Sequence, residues 1–358
     1  MHKREKIIFT IIIILIIIWI FYKYIWLNYI NVRPIKQQLI VLHNYNPEAG
    51  LHWMSIYNTI VAHNEAKKNN LKLVVVLDSG LYLENKNNHI DTYKDYIDTN
   101  NNEWFSYYFK PIGIDDPEIN SLWKQGKLNN LPSYTKYNFW KNVIGYEFDR
   151  SALEKSDKNI NFSKEFEEAI ELKPYLKNKI EEFYNKNMNG KFIIGIHARG
   201  TDKFSSVDSH ENHPKHFTYK TYCDAIEKEI LEQRKIQNKP ISVLACSDEQ
   251  PFINYMNENL GKKYEVITAD NILRSNISTS GVNLICDDKN PDCEKYKNNS
   301  IHRGMTDQSN FKKGMDAVYE VYLLSKCDVF YKSRGNFSNS VSYINPNIRV
   351  VDMVSTLN

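Results

Sequence analysis

Neither sign of charge dominates this chain: 46 lysines and arginines stand against 43 aspartates and glutamates, a net of +3. That evenness excludes nucleic acid or an acidic polymer as the obvious partner. Cysteine is scarce, five in 358 residues, and no Cys/His spacing has the pattern of a zinc site. A disulfide scaffold is excluded with it. Asp-x-Asp, the spacing by which many sugar-nucleotide enzymes hold a divalent metal against a diphosphate, occurs nowhere. The pairs Asp115-Asp116 and Asp287-Asp288 are adjacent acids in polar loops and read as solvated. There is no internal repeat, and a mean hydropathy of -0.53 excludes a polytopic membrane protein.

What remains is 42% apolar and 13% aromatic, enough to bury a core and to exclude disorder over most of the length. At roughly 150 residues per domain the chain has room for about two domains.

The amino terminus is a different material. From Ile7 to Tyr22 only Thr10 is not apolar, a run of about 24 Å as a helix against a hydrocarbon layer of roughly 30 Å. Continuing past Lys23 to Ile30 supplies the missing length, because a lysine stem snorkels and Trp26 and Tyr24 suit the headgroup zone. One membrane span is expected. A cleaved signal peptide is the competing reading, but Trp26, Tyr29 and Arg33 stand where small residues would mark a cleavage site. Lys3, Arg4 and Lys6 ahead of the run favour a cytoplasmic amino end, with the body on the luminal or non-cytoplasmic side. In such a compartment Cys286 and Cys293, close together in a polar loop, are the natural disulfide pair, with Cys223, Cys246 and Cys327 left over. Asn161, Asn276, Asn298 and Asn336 each begin an Asn-x-Ser sequon, a pattern that arises by chance in a chain this rich in Asn.

The body reads as α/β. Gln38 to Leu42 is an expected strand, Leu51 to Lys67 a helix, and Leu71 to Leu77 a strand, the opening of a parallel sheet. Leu81 to Tyr146 predicts short helices and loops. Phe162 to Asn185 is helical, with Pro174 kinking or splitting it. A second series follows: strands at Phe192 to His197, Ile241 to Cys246, Tyr264 to Thr268, Asp328 to Lys332 and Ile348 to Met353, with helices at Tyr219 to Arg234, Pro251 to Leu260 and Lys313 to Lys326. A polar loop is expected from Arg274 to about Asn310. The predicted architecture is two doubly wound Rossmann-type domains with a cleft between them. Residues 1–36 form the tail, anchor and linker, residues 37–186 the first domain and residues 187–358 the second.

Polar clusters follow three of these strands. Gly195-Ile196-His197-Ala198-Arg199-Gly200-Thr201-Asp202-Lys203 closes the first, and the carboxyl ends of strands in an open α/β sheet face the ligand crevice. An arginine fork suits phosphate, and Gly200 lets backbone approach an anion. A salt-bridged turn between Arg199 and Asp202 accounts for the same residues equally well. Ser247-Asp248-Glu249 closes the second strand. Ser333-Arg334-Gly335-Asn336-Phe337-Ser338-Asn339-Ser340 follows the third, a cradle for phosphate oxygens or an ordinary helix start.

These motifs resemble the GDP-fucose-dependent fucosyltransferases that include the α1,6 core enzymes and the rhizobial nodulation enzyme. The resemblance covers residues 192–353. It rests on Ile194-Gly-Ile-His-Ala-Arg-Gly-Thr-Asp-Lys203, on His213-Pro214 ahead of a helix, on Ser247-Asp248-Glu249, on Asp316 in a helix ending Leu323-Leu324-Ser325-Lys326-Cys327-Asp328, and on the Ser/Asn loop before Tyr343. Upstream, Asn102 to Phe109 looks like an aromatic segment of related bacterial proteins.

The resemblance implies a GT-B fold, a donor nucleotide held by the second domain, an acceptor glycan in the cleft, and inverting transfer of fucose without metal or cofactor, GDP-fucose being the donor substrate. Arg199 matches the arginine on the β-phosphate. His197, Asp202 and Lys203 fall on matching positions, Asp316 matches a carboxylate near the guanine, and Asp248, Glu249, Asn336 and Ser338 are further expected donor-site residues, with Lys203 or Arg334 the expected substitute for a missing phosphate contact. Two departures stand out. The core enzymes carry a second arginine where this chain has Gly200, and a glutamate where it has Val207. Asp208 or Glu211 is therefore the expected base. A GT-B enzyme with another sugar nucleotide, or an anchored glycan-binding protein without activity, are the alternatives.

Overall fold

A computed structural model of the chain describes residues 15–16, 19, 39–43, 50–68, 70–84, 87–97, 103–126, 160–200, 217–280, 291–301, 304–333 and 335–353. The expected span from Ile7 to Ile30 lies outside these except for Leu15, Ile16 and Trp19, which are helical and exposed. Among the described residues no helix is long and apolar enough to cross a membrane.

The first half opens with β1 (Leu39–His43). A π-helical segment, His52–Tyr57, runs directly into α1 (Asn58–Lys68), and β2 (Lys72–Val76) pairs with β1 in parallel, Leu39 opposite Lys72. The predicted helix is thus two geometries end to end, the first a π turn. Short helices follow as the weak periodicity implied: α2 (Asn87–Tyr93), α3 (Phe105–Tyr108) and α4 (Pro117–Lys124). Proline does split the next helix, giving α5 (Phe162–Ala169) and α6 (Pro174–Asn187). Pro174 opens the second of these, where its missing N–H costs nothing.

The second half is a five-stranded parallel sheet in the order β5-β4-β3-β6-β7. Its strands are β3 (Phe192–Ala198), β4 (Ile241–Ser247), β5 (Glu265–Ile267), β6 (Val329–Lys332) and β7 (Arg349–Asp352). The intervening helices are α7 (Tyr219–Gln233), α8 (Gln250–Asn259), α9 (Pro291–Asn298), α10 (Asn310–Ser325) and α11 (Asn336–Ile344). The polar stretch expected to be loop therefore contains α9. All seven residues of β3 are buried, as a central parallel strand covered on both faces requires. Ile194 and Ile196 face a cluster under α7 and α8, whereas Ile193 joins a larger core with Leu323 and Leu324 of α10.

That larger core takes residues from both expected halves, including Leu42, Ile60, Val75 and Trp104 from the first. Polar contacts reinforce the join. Glu84 accepts from Ser309 Oγ at 2.7 Å and from the Phe311 N–H at 3.2 Å, satisfying donors at the start of α10, and Tyr108 Oη donates to the Phe311 carbonyl. Cys223, Cys246 and Cys327 are buried free thiols; Cys286 and the Cys293 side chain lie outside the described residues.

Candidate active site at the strand ends

Parallel pairing sets His197 opposite Cys246 on one side and Lys332 on the other, so β3, β4 and β6 end together and deliver their following residues to one edge. This brings together Arg199, Asp248 and the start of α11. Asp248 accepts the Gly200 N–H at 2.8 Å, and its other oxygen lies 3.9 Å from Arg199 Nε. The turn after β3 is thus clamped by an acid from β4, and the Arg199 side chain keeps 16% exposure beside a carboxylate of 8%.

Glu249 turns inward. Tyr219 Oη donates to one of its oxygens and the Thr279 N–H to the other, while Ser247 Oγ accepts its backbone N–H at 3.0 Å. Burial pushes its carboxyl up to about 7, with the neighbouring Asp248 charge adding to the shift.

On the other flank Gly335, with φ 149°, opens α11. Phe337 lies face-on against the His197 ring at 4.0 Å and meets His52, from the π-helical segment, edge-on at 4.9 Å. Ser338 is buried with Oγ 3.4 Å from His197 Nδ1. Asn336 is exposed at the helix start, and Lys332 Nζ donates to Asn339.

Asp316 sits one turn before Glu320 on α10, and both acids grip the segment after β5. Asp316 accepts the Leu273 N–H at 2.8 Å and the Lys312 ammonium; burial raises its pKa against the pull of that lysine. Glu320 accepts from Arg274 at 2.8 Å, and Arg274 Nε reaches the Ser247 carbonyl, tying the segment to the end of β4. Burial holds the Glu320 carboxyl up, to about 7, even against the arginine.

Asp202, Lys203, Asp208, Glu211 and Arg334 lie outside the described residues. Of the remaining expected residues, His197, Arg199, Asp248, Glu249, Asn336 and Ser338 gather at the strand ends, and Asp316 is linked to them through Leu273 and Arg274. Sequence reasoning missed His52, Tyr219, Arg274 and Glu320. The i,i+4 spacing of Asp316 and Glu320 was the only local signal for the last. Away from the strand ends, His63, Glu165 and Glu168 offer ligand atoms close enough together for a metal, but the Lys67 ammonium already reaches Glu165 at 2.9 Å and Glu168 at 2.6 Å. A cation of the protein's own balances those acids.

No protein-family model and no curated protein matches the chain. Among solved structures it is similar to a NodZ α-1,6-fucosyltransferase soaked with GDP-fucose, at 13% identity and a TM-score of 0.46, covering 87% of this chain and 94% of that one. POFUT1 in complex with GDP is similar at 12% identity and a TM-score of 0.42, over 88% and 97% of the two chains. A mutant of Arabidopsis thaliana FUT1 with GDP matches at 11% and 0.40, over 90% and 72%. Identities this low carry no residue roles across.

Proposed function

We propose that the chain is a glycosyltransferase that moves fucose from GDP-fucose to a glycan hydroxyl, with inversion at the anomeric carbon and without a metal. The observation that carries this reading is Arg199 at the carboxyl end of the central strand, backed by Asp248 and flanked by His197. An arginine there is suited to a diphosphate, whose charge grows as it leaves, and a fixed cation is most effective against developing charge. In the reaction the acceptor oxygen attacks the anomeric carbon as the bond from that carbon to the β-phosphate oxygen breaks. The electron pair goes to the phosphate, and a carboxylate takes the hydroxyl proton. Asp208, one residue from the family's glutamate position, is the favoured base, with Glu211 the alternative. Asp202, Lys203 and Arg334 complete the donor site in this reading. The apolar run from Ile7 to Ile30 anchors the body to a membrane, with the strand-end site on the non-cytoplasmic side.

The experiment is incubation with labelled GDP-fucose in excess EDTA. Release of fucose, or its transfer to added glycans, supports the reading. Release that needs added Mn²⁺ or Mg²⁺ removes the metal-free mechanism, and no release at all removes the donor.

One observation favours a second reading with a different nucleotide. The Asp316 oxygens already accept from Leu273 and Lys312, so a guanine edge has to displace the ammonium to reach them. Binding of UDP in preference to GDP would select that reading.

A further inference from the structure

Gly200 and Glu249 occupy one another's space. A Cβ built on Gly200 would lie 2.0 Å from Glu249 Oε1, 2.2 Å from its Cδ and 2.8 Å from its Cγ. The far end of a side chain usually swings aside cheaply, but this one is 2% exposed and held at both oxygens and at its backbone. The partners come from three separate places. Tyr219 is the first residue of α7, and its own N–H donates to Ser280 Oγ at 3.0 Å; Thr279 is the neighbour of that serine; Ser247 ends β4. A single carboxylate thus joins the turn after β3, the start of α7 and residues 279–280. Asp248 grips the same turn through the Gly200 N–H.

We propose that Glu249 is a positioning residue for Arg199, and that position 200 is glycine because the Glu249 carboxylate fills the volume its side chain would take. Asp248 fixes the turn by its N–H and Glu249 walls it at the Cα, so the guanidinium is presented in one direction to a pyrophosphate group. The ligand class rests on the proposed donor reading. The pairing also accounts for the missing second arginine: no side chain fits at position 200 while Glu249 stays where it is. The acid's contacts with Tyr219 and Thr279 make it a staple of the fold as well, and a test has to separate that role from positioning.

The test is a mutant cycle on the full chain, with binding of GDP and of inorganic pyrophosphate measured by calorimetry and thermal unfolding measured in parallel. Gly200→Ala should weaken GDP by about tenfold or more, the effect of forcing a methyl into filled space. Glu249→Ala should weaken it comparably through loss of the wall. Gly200→Ala/Glu249→Ala should bind no more weakly than Glu249→Ala alone, because the clash is gone and residues in contact do not add. Glu249→Gln, which keeps the volume and an acceptor oxygen, should stay within about threefold of wild type. The proposal is overturned if Gly200→Ala binds normally, if the two single losses multiply in the double variant, or if Glu249→Ala lowers the melting temperature with affinity unchanged. Pyrophosphate binding without GDP binding sinks the donor assignment and leaves the cycle readable with pyrophosphate. A chain that binds neither overturns both.

Discussion

Phe337 stacks on His197 with ring centroids 4.0 Å apart and planes 20° from parallel, joining the first turn of α11 to the last turn of pairing in the central strand. Because His52 meets the same phenyl ring from the π-helical segment, the stack also ties the first half of the chain to the candidate site. Removing the ring should open a cavity at that junction. Phe337→Ala is expected to cost about 3 kcal/mol in urea unfolding, and to reduce donor turnover beyond the loss of folded protein. A variant with wild-type stability would mean the ring is not part of the packed core.

Arg199→Lys should not behave as a conservative change. A point charge cannot reproduce a two-pronged contact with phosphate oxygens, and loss of one fixed charge stabiliser typically costs about 10²–10³ in rate. Turnover of labelled GDP-fucose is the measurement, and a variant within a few-fold of wild type would take Arg199 out of the catalytic role.

The Arg274–Glu320 pair has both side chains 6% exposed. With burial already holding the Glu320 carboxyl up, loss of the arginine leaves it protonated and short of a hydrogen-bond partner, a loss of about 1–3 kcal/mol. Arg274→Ala should therefore destabilise in urea, and Arg274→Ala/Glu320→Gln should recover part of that loss. An additive double variant would contradict the coupling.

Glu103 supplies a pH dependence of stability. It is fully buried and accepts the N–H groups of Phe105 and Ser106, yet burial outweighs those bonds and pushes its carboxyl up to about 8. The unfolded chain loses this proton near the ordinary carboxyl value of 4.5 while the folded chain keeps it. Between those values the native state binds more protons than the unfolded one, so stability from this group is present below about 4.5 and falls as pH rises toward 8. Thermal unfolding of wild type and Glu103→Gln across that window should converge at low pH and diverge at high pH, the variant being flatter. Parallel profiles would contradict the assignment.

The strand pattern of the second half was legible because apolar, isoleucine-rich runs such as Phe192 to His197 are too short for a helix and are bounded by polar and glycine residues. Pro174 likewise announced a break between helices. The π geometry at His52 to Tyr57 had no such signal, since its apolar spacing is compatible with an ordinary helix. At the site, the residues next to strand ends were readable from position alone. The partners that hold them were not: Tyr219 meets Glu249 from 30 residues away in sequence and Arg274 meets Glu320 from 46, and only the fold brings such pairs together. Gly200 was visible as a departure, but its reason, the carboxylate of Glu249, lies on another strand's end.

The most direct measurement of the central claim, that Arg199 presents a nucleoside diphosphate site at the end of the central strand, is calorimetric titration of GDP into the wild-type chain and Arg199→Ala, with UDP as the comparison ligand. The account predicts that GDP binds wild type, that UDP does so far more weakly, and that Arg199→Ala loses about a hundredfold in GDP affinity while still unfolding cooperatively. Equal GDP affinity in the two proteins, or no GDP binding by wild type, would contradict it.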